Sequence, residues 1–167
     1  LRLKISKKNL SSLVFHPSEN YVAISGLGDE ISTWSIPDGQ QLHKFPAHPV
    51  AVSSLRFIQA GKALVSMGYD QTIKFWDAET WQLEKVLAFK EKTLRCLTFT
   101  SDERFMAIGF QGAIQLWSLT PLSLLDEFSA GTNALNQLSF SPDNRWLAAG
   151  AADQKLHIWP LDLAPML

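Results

Sequence analysis

Short runs with apolar residues two apart alternate with polar turns along the whole chain, and that spacing is the period of β-strands. Leu13-Val14-Phe15, Leu55-Arg56-Phe57, Leu97-Thr98-Phe99 and Leu138-Ser139-Phe140 open four such stretches, designated strand a. A polar turn follows each, at His16 to Asn20, Ile58 to Lys62, Thr100 to Arg104 and Ser141 to Arg145, with Pro, Gly, Asp or Asn supplying the bend in most copies. The next apolar runs, Tyr21 to Gly26, Ala63 to Gly68, Phe105 to Gly109 and Trp146 to Gly150, are too short for helices and end in glycine, so they are strands b. Strands c carry tryptophan, at Ile31 to Ile36, Thr72 to Asp77, Ala113 to Ser118 and Lys155 to Pro160. Strands d follow near Gln41 to Phe45, Gln82 to Leu87 and Ser123 to Phe128.

The pattern is a repeat. Trp34, Trp76, Trp117 and Trp159 are separated by 42, 41 and 42 residues, and Phe15, Phe57, Phe99 and Phe140 by 42, 42 and 41. Strands a, b and c occur four times, but strand d only three times after its own c. Phe45, Leu87 and Phe128 each precede the next anchor Phe by 12 residues, and Leu3 precedes Phe15 by the same 12. Leu1 to Ser6 is therefore expected to be a d strand that completes the last repeat, protecting an edge that would otherwise invite aggregation. A single twisted four-stranded sheet leaves apolar faces uncovered, and radial stacking of repeats covers them.

A unit of about 42 residues with Trp in its third strand resembles the WD40 repeat. The resemblance covers nearly the whole chain. Copy two matches best: Ser66-Met67-Gly68-Tyr69-Asp70-Gln71-Thr72-Ile73-Lys74-Phe75-Trp76-Asp77 keeps the Trp-Asp pair, and Ala47-His48 stands for the usual Gly-His. The resemblance implies an all-β fold, a β-propeller of four-stranded antiparallel blades, four of them in this chain. The repeats run over approximately 7–48, 49–90, 91–131 and 132–167, with strand 1–6 added to the last. It also implies a buried hydrogen-bonded chain through His48, Ser66, Asp70 and Trp76. Asp153 keeps the turn carboxylate in copy four, whereas Gly28 and Gln111 replace it in copies one and three, and Lys90 falls at the loop-His position of copy three. Propellers of this kind resemble rings of more than four blades. Three arrangements stay open: two chains pairing into an eight-bladed ring, a piece of a longer propeller chain, and a four-bladed closed monomer.

Composition narrows the function. The 46% hydrophobic and 19% charged content is that of a soluble globular protein, and no apolar run approaches the roughly 20 residues that span a bilayer. A formal net charge of -1 gives no general pull on polyanions, so nucleic acid is not a favoured partner. Cys96 is the single cysteine and lies in an apolar stretch, which fits an inert buried thiol and a reducing, cytoplasmic setting. The chain starts at Leu1 without a signal-peptide pattern, as expected of a segment cut from something longer; Asn9-Leu10-Ser11 matches a glycosylation acceptor with nothing else to support it.

Candidate chemistry is sparse. His16, His43, His48 and His157 form no motif, and the serines lack the strained elbow of a nucleophile. Asp29-Glu30, Asp102-Glu103 and Asp126-Glu127 are adjacent pairs, which point to opposite faces of a strand or into solvent at a turn. No metal-ligand spacing is present, and Gly26-Leu27-Gly28 lacks the helix that a phosphate loop needs. The expectation is a non-enzymatic scaffold without cofactor or metal. It would bind a protein or peptide on the face formed by the d-to-a loops and the b-to-c turns. Leu27, Tyr69, Phe110 and Ala152 sit seven residues before each Trp and are expected to project there, opposite Lys7, Lys8, Lys90, Lys92 and Arg95, with Asn136 nearby. The competing readings are a purely architectural segment that closes or oligomerises a ring, and weak nucleic-acid or phospholigand binding by the loop lysines. Trp146 is expected in the core, and Trp81 in a c-to-d turn, capping a blade or marking a second contact surface.

Overall fold

The computed structural model describes residues 9–26 and 28–163. The d strand expected at Leu1 to Ser6, Lys7, Lys8 and Leu27 lie outside them. The chain divides into two compact units, Leu1–Phe89 and Lys90–Leu167.

The first unit holds two four-stranded antiparallel sheets, each in the order of the sequence. One consists of β1 (Leu10–Phe15), β2 (Tyr21–Gly26), β3 (Glu30–Ser35) and β4 (Gln41–Pro46); the other of β5 (Val52–Ile58), β6 (Ala63–Gly68), β7 (Thr72–Asp77) and β8 (Leu83–Ala88). The two sheets pack through a shared core in which Ala23 and Ile31 of the first meet Val52, Leu55 and Phe57 of the second. Hydroxyls on β1 add polar ties between them: Ser11 donates to the Val52 carbonyl at 2.6 Å, and the Leu55 N–H donates to Ser12 Oγ at 3.0 Å. Trp81 is half-buried at this junction, with its ring 5.6 Å from Phe45, 5.5 Å from His43 and 6.2 Å from Tyr21, so it caps the packed blades.

In the second unit two repeats share one sheet. It contains β9 (Leu94–Phe99), β10 (Phe105–Leu119), β11 (Leu122–Phe140), β12 (Trp146–Ala151) and β13 (Leu156–Pro160), in the order β13-β12-β11-β10-β9. β10 contains both the b and c strands of copy three. The chain reverses within it, since the Leu119 N–H donates back to the Arg104 carbonyl at 2.9 Å and Gly112 takes φ +81°. β11 likewise carries strand d of copy three and strand a of copy four. The core here joins Cys96, Ala107 and Ile114 of copy three to Leu138, Leu147 and Ala149 of copy four. The Ser101 N–H and hydroxyl bind Asn144 Oδ1 at 2.9 and 3.2 Å, tying the two a-to-b turns together.

Trp146, expected in the core, is about half exposed on β12. Strand alternation explains the difference: Leu147 and Ala149 face the core between copies three and four, so Trp146 and Ala148 face away from it.

Candidate functional site

The d-to-a loop and b-to-c turn of copy two are built around one buried network. β6 ends at Gly68 and the chain turns through Tyr69, Asp70 and Gln71 into β7; the Gln71 N–H closes the turn on the Gly68 carbonyl at 3.2 Å. His48 enters from the loop after β4, its side chain wholly buried. His48 Nδ1 lies 2.9 Å from Asp70 Oδ1, and His48 Nε2 lies 2.8 Å from Ser66 Oγ. Trp76 Nε1–H donates to the same Ser66 Oγ at 2.9 Å. Asp70 Oδ1 also accepts from the Thr72 N–H at 3.1 Å and the Thr72 hydroxyl at 2.8 Å.

One proton arrangement satisfies every member. Trp76 donates to Ser66, the Ser66 hydroxyl donates to His48 Nε2, and His48 Nδ1–H donates to Asp70. This requires a neutral imidazole, and burial pushes the His48 pKa below its ordinary 6.5 although Asp70 opposes that shift. For Asp70, burial raises the pKa, but the bonds from Thr72 and His48 outweigh it and hold the carboxylate below 3.8. Both folded-state values are thus depressed, so the unfolded chain binds more protons in each window. Stability from His48 should be complete above about pH 6.5 and fall as the pH drops toward its lowered folded value; Asp70 should add a second loss below about 3.8. Urea midpoints measured from pH 8 to pH 5 should decline through the upper window in the native chain and lose that slope in His48→Gln.

Ser66, His48 and Asp70 use the same side-chain types as a hydrolytic relay. Ser66 has no solvent exposure, and its oxygen is already engaged by both His48 and Trp76. The relay holds a turn in place.

The other copies reach the same end by different means. Trp34 Nε1–H donates to Ser32 Oγ at 2.9 Å, and Trp117 Nε1–H to Gln115 Oε1 at 3.0 Å. In both the acceptor stands two residues before the Trp, on the same face of the strand, so the period of two contained the signal. Gln115 Nε2 donates to Glu127 at 2.6 Å, and Lys92 Nζ binds both Glu127 oxygens at 2.6 and 2.5 Å. Asp153 in copy four accepts from the Lys155 N–H at 3.0 Å and pairs with His157 Nε2 at 3.1 Å, while the His157 ring stacks on Trp159. His157, four residues after the carboxylate, thus pairs with the turn Asp as His48 does from the loop in copy two. Sequence reading had assigned no role to Ser32, Gln115, Glu127 or His157.

Of the expected contact residues, Tyr69 projects, with 62% of its surface exposed. Its N–H donates to the Ala51 carbonyl at 3.0 Å, which fixes the turn against the loop bearing exposed Val50. Lys90, Arg95 and Asn136 are exposed in the second unit. Phe110 does not project: it is 1% exposed, with Lys92 Nζ lying 5.3 Å from its ring centre. Copy three has one residue fewer between its Phe and its Trp than the others, so Phe110 ends strand b instead of opening the turn. Lys92 is committed to Glu127 and Phe110, which removes it from a freely available basic surface.

Among the described residues no group of three or more His, Cys, Asp or Glu side chains is placed to hold a metal ion, and no helix is long and apolar enough to cross a membrane.

Residues 39–77 and 122–160 match the family model for the WD domain, G-beta repeat. Each match begins at or just before a strand d and ends one residue past the Trp of the next strand c. The chain is 33% identical over 79 residues to Topless-related protein 3 of Arabidopsis thaliana, covering 47% of this chain and 7% of that protein. It is 35% identical over 78 residues to pre-mRNA-processing factor 19 of Bos taurus, covering 47% and 16%, and 34% identical over 73 residues to the periodic tryptophan protein 2 homolog of Schizosaccharomyces pombe, covering 43% and 8%. The matched stretch thus spans less than a fifth of each of these relatives. Among solved structures, the computationally designed Ika4 protein superposes with a TM-score of 0.80 at 24% identity over 96% of both chains, and U3-55K with a TM-score of 0.82 at 18% identity over 95% of this chain and 51% of that one. The matched segments and the recurring antiparallel sheets identify this chain as one built on WD40 repeats.

Proposed function

We propose that the chain is a binding scaffold for proteins or peptides, with its contact surface on the d-to-a loops and b-to-c turns. WD40 repeats indicate a protein-interaction role in proteins that carry them. The observation that carries the finer reading is Tyr69, a large exposed aromatic on a turn whose base is rigidly held by His48, Ser66, Asp70 and Trp76. An aromatic already fixed in place loses little entropy when it binds, which is the property of an interface anchor. Val50 extends this apolar contact in the first unit. In the second unit Lys90, Arg95 and Asn136 offer donors to carboxylates or backbone carbonyls of a partner. The buried Cys96 thiol, its pKa pushed up to about 11 mainly by burial, is inert and compatible with a reducing cytoplasm.

The test is selection of ligands from a random peptide library on the immobilised chain, followed by fluorescence polarisation with Tyr69→Ala. The variant should bind the selected peptides at least about tenfold more weakly, the scale of one interface anchor. Equal affinity, with the circular dichroism spectrum unchanged, would remove this surface from the proposal.

A further inference from the structure

The turn that carries Tyr69 also carries a charge that nothing in the fold neutralises. Every hydrogen bond that Asp70 accepts, from His48, from the Thr72 N–H and from the Thr72 hydroxyl, goes to Oδ1. Oδ2 takes no partner among the described residues. No enclosed side-chain oxygen among them lacks a hydrogen bond, so Oδ2 reaches solvent through the 12% of this side chain that is exposed. Against the pull of burial, the bonds from Thr72 and His48 keep the carboxylate ionised, and burial keeps His48 neutral. Lys74 does not pair with Asp70 either: its ammonium donates to the Ala47 carbonyl and lies 5.8 Å from the Trp76 ring centre. The turn thus presents a negative charge through one fixed oxygen.

The neighbours of that oxygen narrow what it can meet. Tyr69, the adjacent residue, is pinned on both sides, with its N–H on the Ala51 carbonyl and its own carbonyl taking Gln71 Nε2–H at 3.0 Å, while its ring projects. The loop that meets Tyr69 at Ala51 is held at its other end by Asp29, whose carbonyl accepts from the Ala47 and His48 N–H groups at 2.7 and 3.1 Å. The Asp29 side chain is exposed and adds a second negative charge. An acidic partner would be repelled here, and a purely apolar one would cover the Asp70 oxygen without replacing its water.

We propose that this surface of the first unit takes the arginine side chain of a partner peptide, with the guanidinium lying on the Tyr69 ring and donating to Asp70 Oδ2. The assignment rests on the peptide-binding reading above and names the residue type that reading left open. Chemistry selects arginine over lysine. A guanidinium is planar, so it can stack on an aromatic ring and donate from its edge at the same time, whereas an ammonium is a strongly hydrated point charge. The acceptor is already oriented by the three bonds on Oδ1, so binding requires no rearrangement of the turn. Asp70 has two roles: Oδ1 holds the network together inside, and Oδ2 faces the ligand.

Peptides selected on the immobilised chain should each carry an arginine. In fluorescence polarisation, citrulline in its place, which keeps the shape and removes the charge, should weaken binding at least about tenfold, and lysine should not restore the affinity. The citrulline penalty should shrink on Tyr69→Ala, because groups in contact are coupled, and vanish on Asp70→Asn, which keeps the Oδ1 acceptor. If circular dichroism shows Asp70→Asn unfolded, the Tyr69→Ala comparison decides alone. Selected peptides without arginine, a smaller citrulline penalty, lysine binding as well as arginine, or a penalty unchanged on Tyr69→Ala or on folded Asp70→Asn overturns the arginine site; binding that still weakens on Tyr69→Ala then leaves the peptide surface standing. An empty selection, or affinity untouched by Tyr69→Ala, removes the surface and the arginine site with it.

Discussion

Asp70→Ala should lower the unfolding free energy by about 2–4 kcal/mol, the range for removing one partner of a buried, hydrogen-bonded charge with allowance for the small exposed part of this carboxylate. The carboxylate accepts from His48 Nδ1–H, the Thr72 N–H and the Thr72 hydroxyl, and alanine replaces none of these acceptor sites. The imidazole feels the loss most, because it is wholly enclosed and water cannot substitute for the missing oxygen. Ser66 and Trp76 remain, but the His48 tautomer they depend on is no longer oriented. Urea denaturation at pH 7 measures the effect. Asp153→Ala removes the corresponding carboxylate of copy four, which bonds one backbone N–H and a half-buried histidine near solvent, and should cost distinctly less. Equal losses in the two variants would show that burial of the copy-two network contributes nothing beyond the turn.

Gly68→Ala should be at least as damaging, about 3 kcal/mol or more, although it adds one methyl group. A Cβ at this position falls on His48 Nδ1, His48 Cγ and Asp70 Oδ1. These atoms cannot yield by a rotamer change, because the ring is held at both nitrogens and the carboxylate at three donors. Glycine is required here by space and not by a left-handed backbone. Gly150→Ala is the control: a Cβ there has no neighbour within 4 Å, and alanine loses less backbone entropy than glycine on folding, so stability should hold or rise slightly. Thermal unfolding of the two variants side by side gives the comparison. A Gly68→Ala chain as stable as Gly150→Ala would mean that the turn can move away from His48.

The sequence alone determined the strands, because alternation and turn residues act over a few neighbours. Strands b at Tyr21–Gly26 and Ala63–Gly68, and strand c at Thr72–Asp77, stand where the apolar runs placed them. The 42-residue spacing of Phe and Trp likewise made the repeat visible, since each copy must present the same packing residues to its neighbours. The network around His48 was expected only from the resemblance of copy two to the WD40 repeat, since no other copy carries all four residues.

Tertiary structure alone decided which repeat positions are covered. Leu13 and Leu55, or Ile31 and Leu156, have equivalent places in the repeat, yet one of each pair is buried and the other exposed, because burial depends on what packs against a face and not on the place of a residue in the repeat. The same reason put Trp146 on an open face. Local chain length, not residue type, moved Phe110 inward when copy three shortened by one residue. The partners of Trp34 and Trp117 also waited for the structure: an indole needs some acceptor once its ring is packed, but several polar side chains lie in range, and only the three-dimensional register selects Ser32 in one copy and Gln115 in the other.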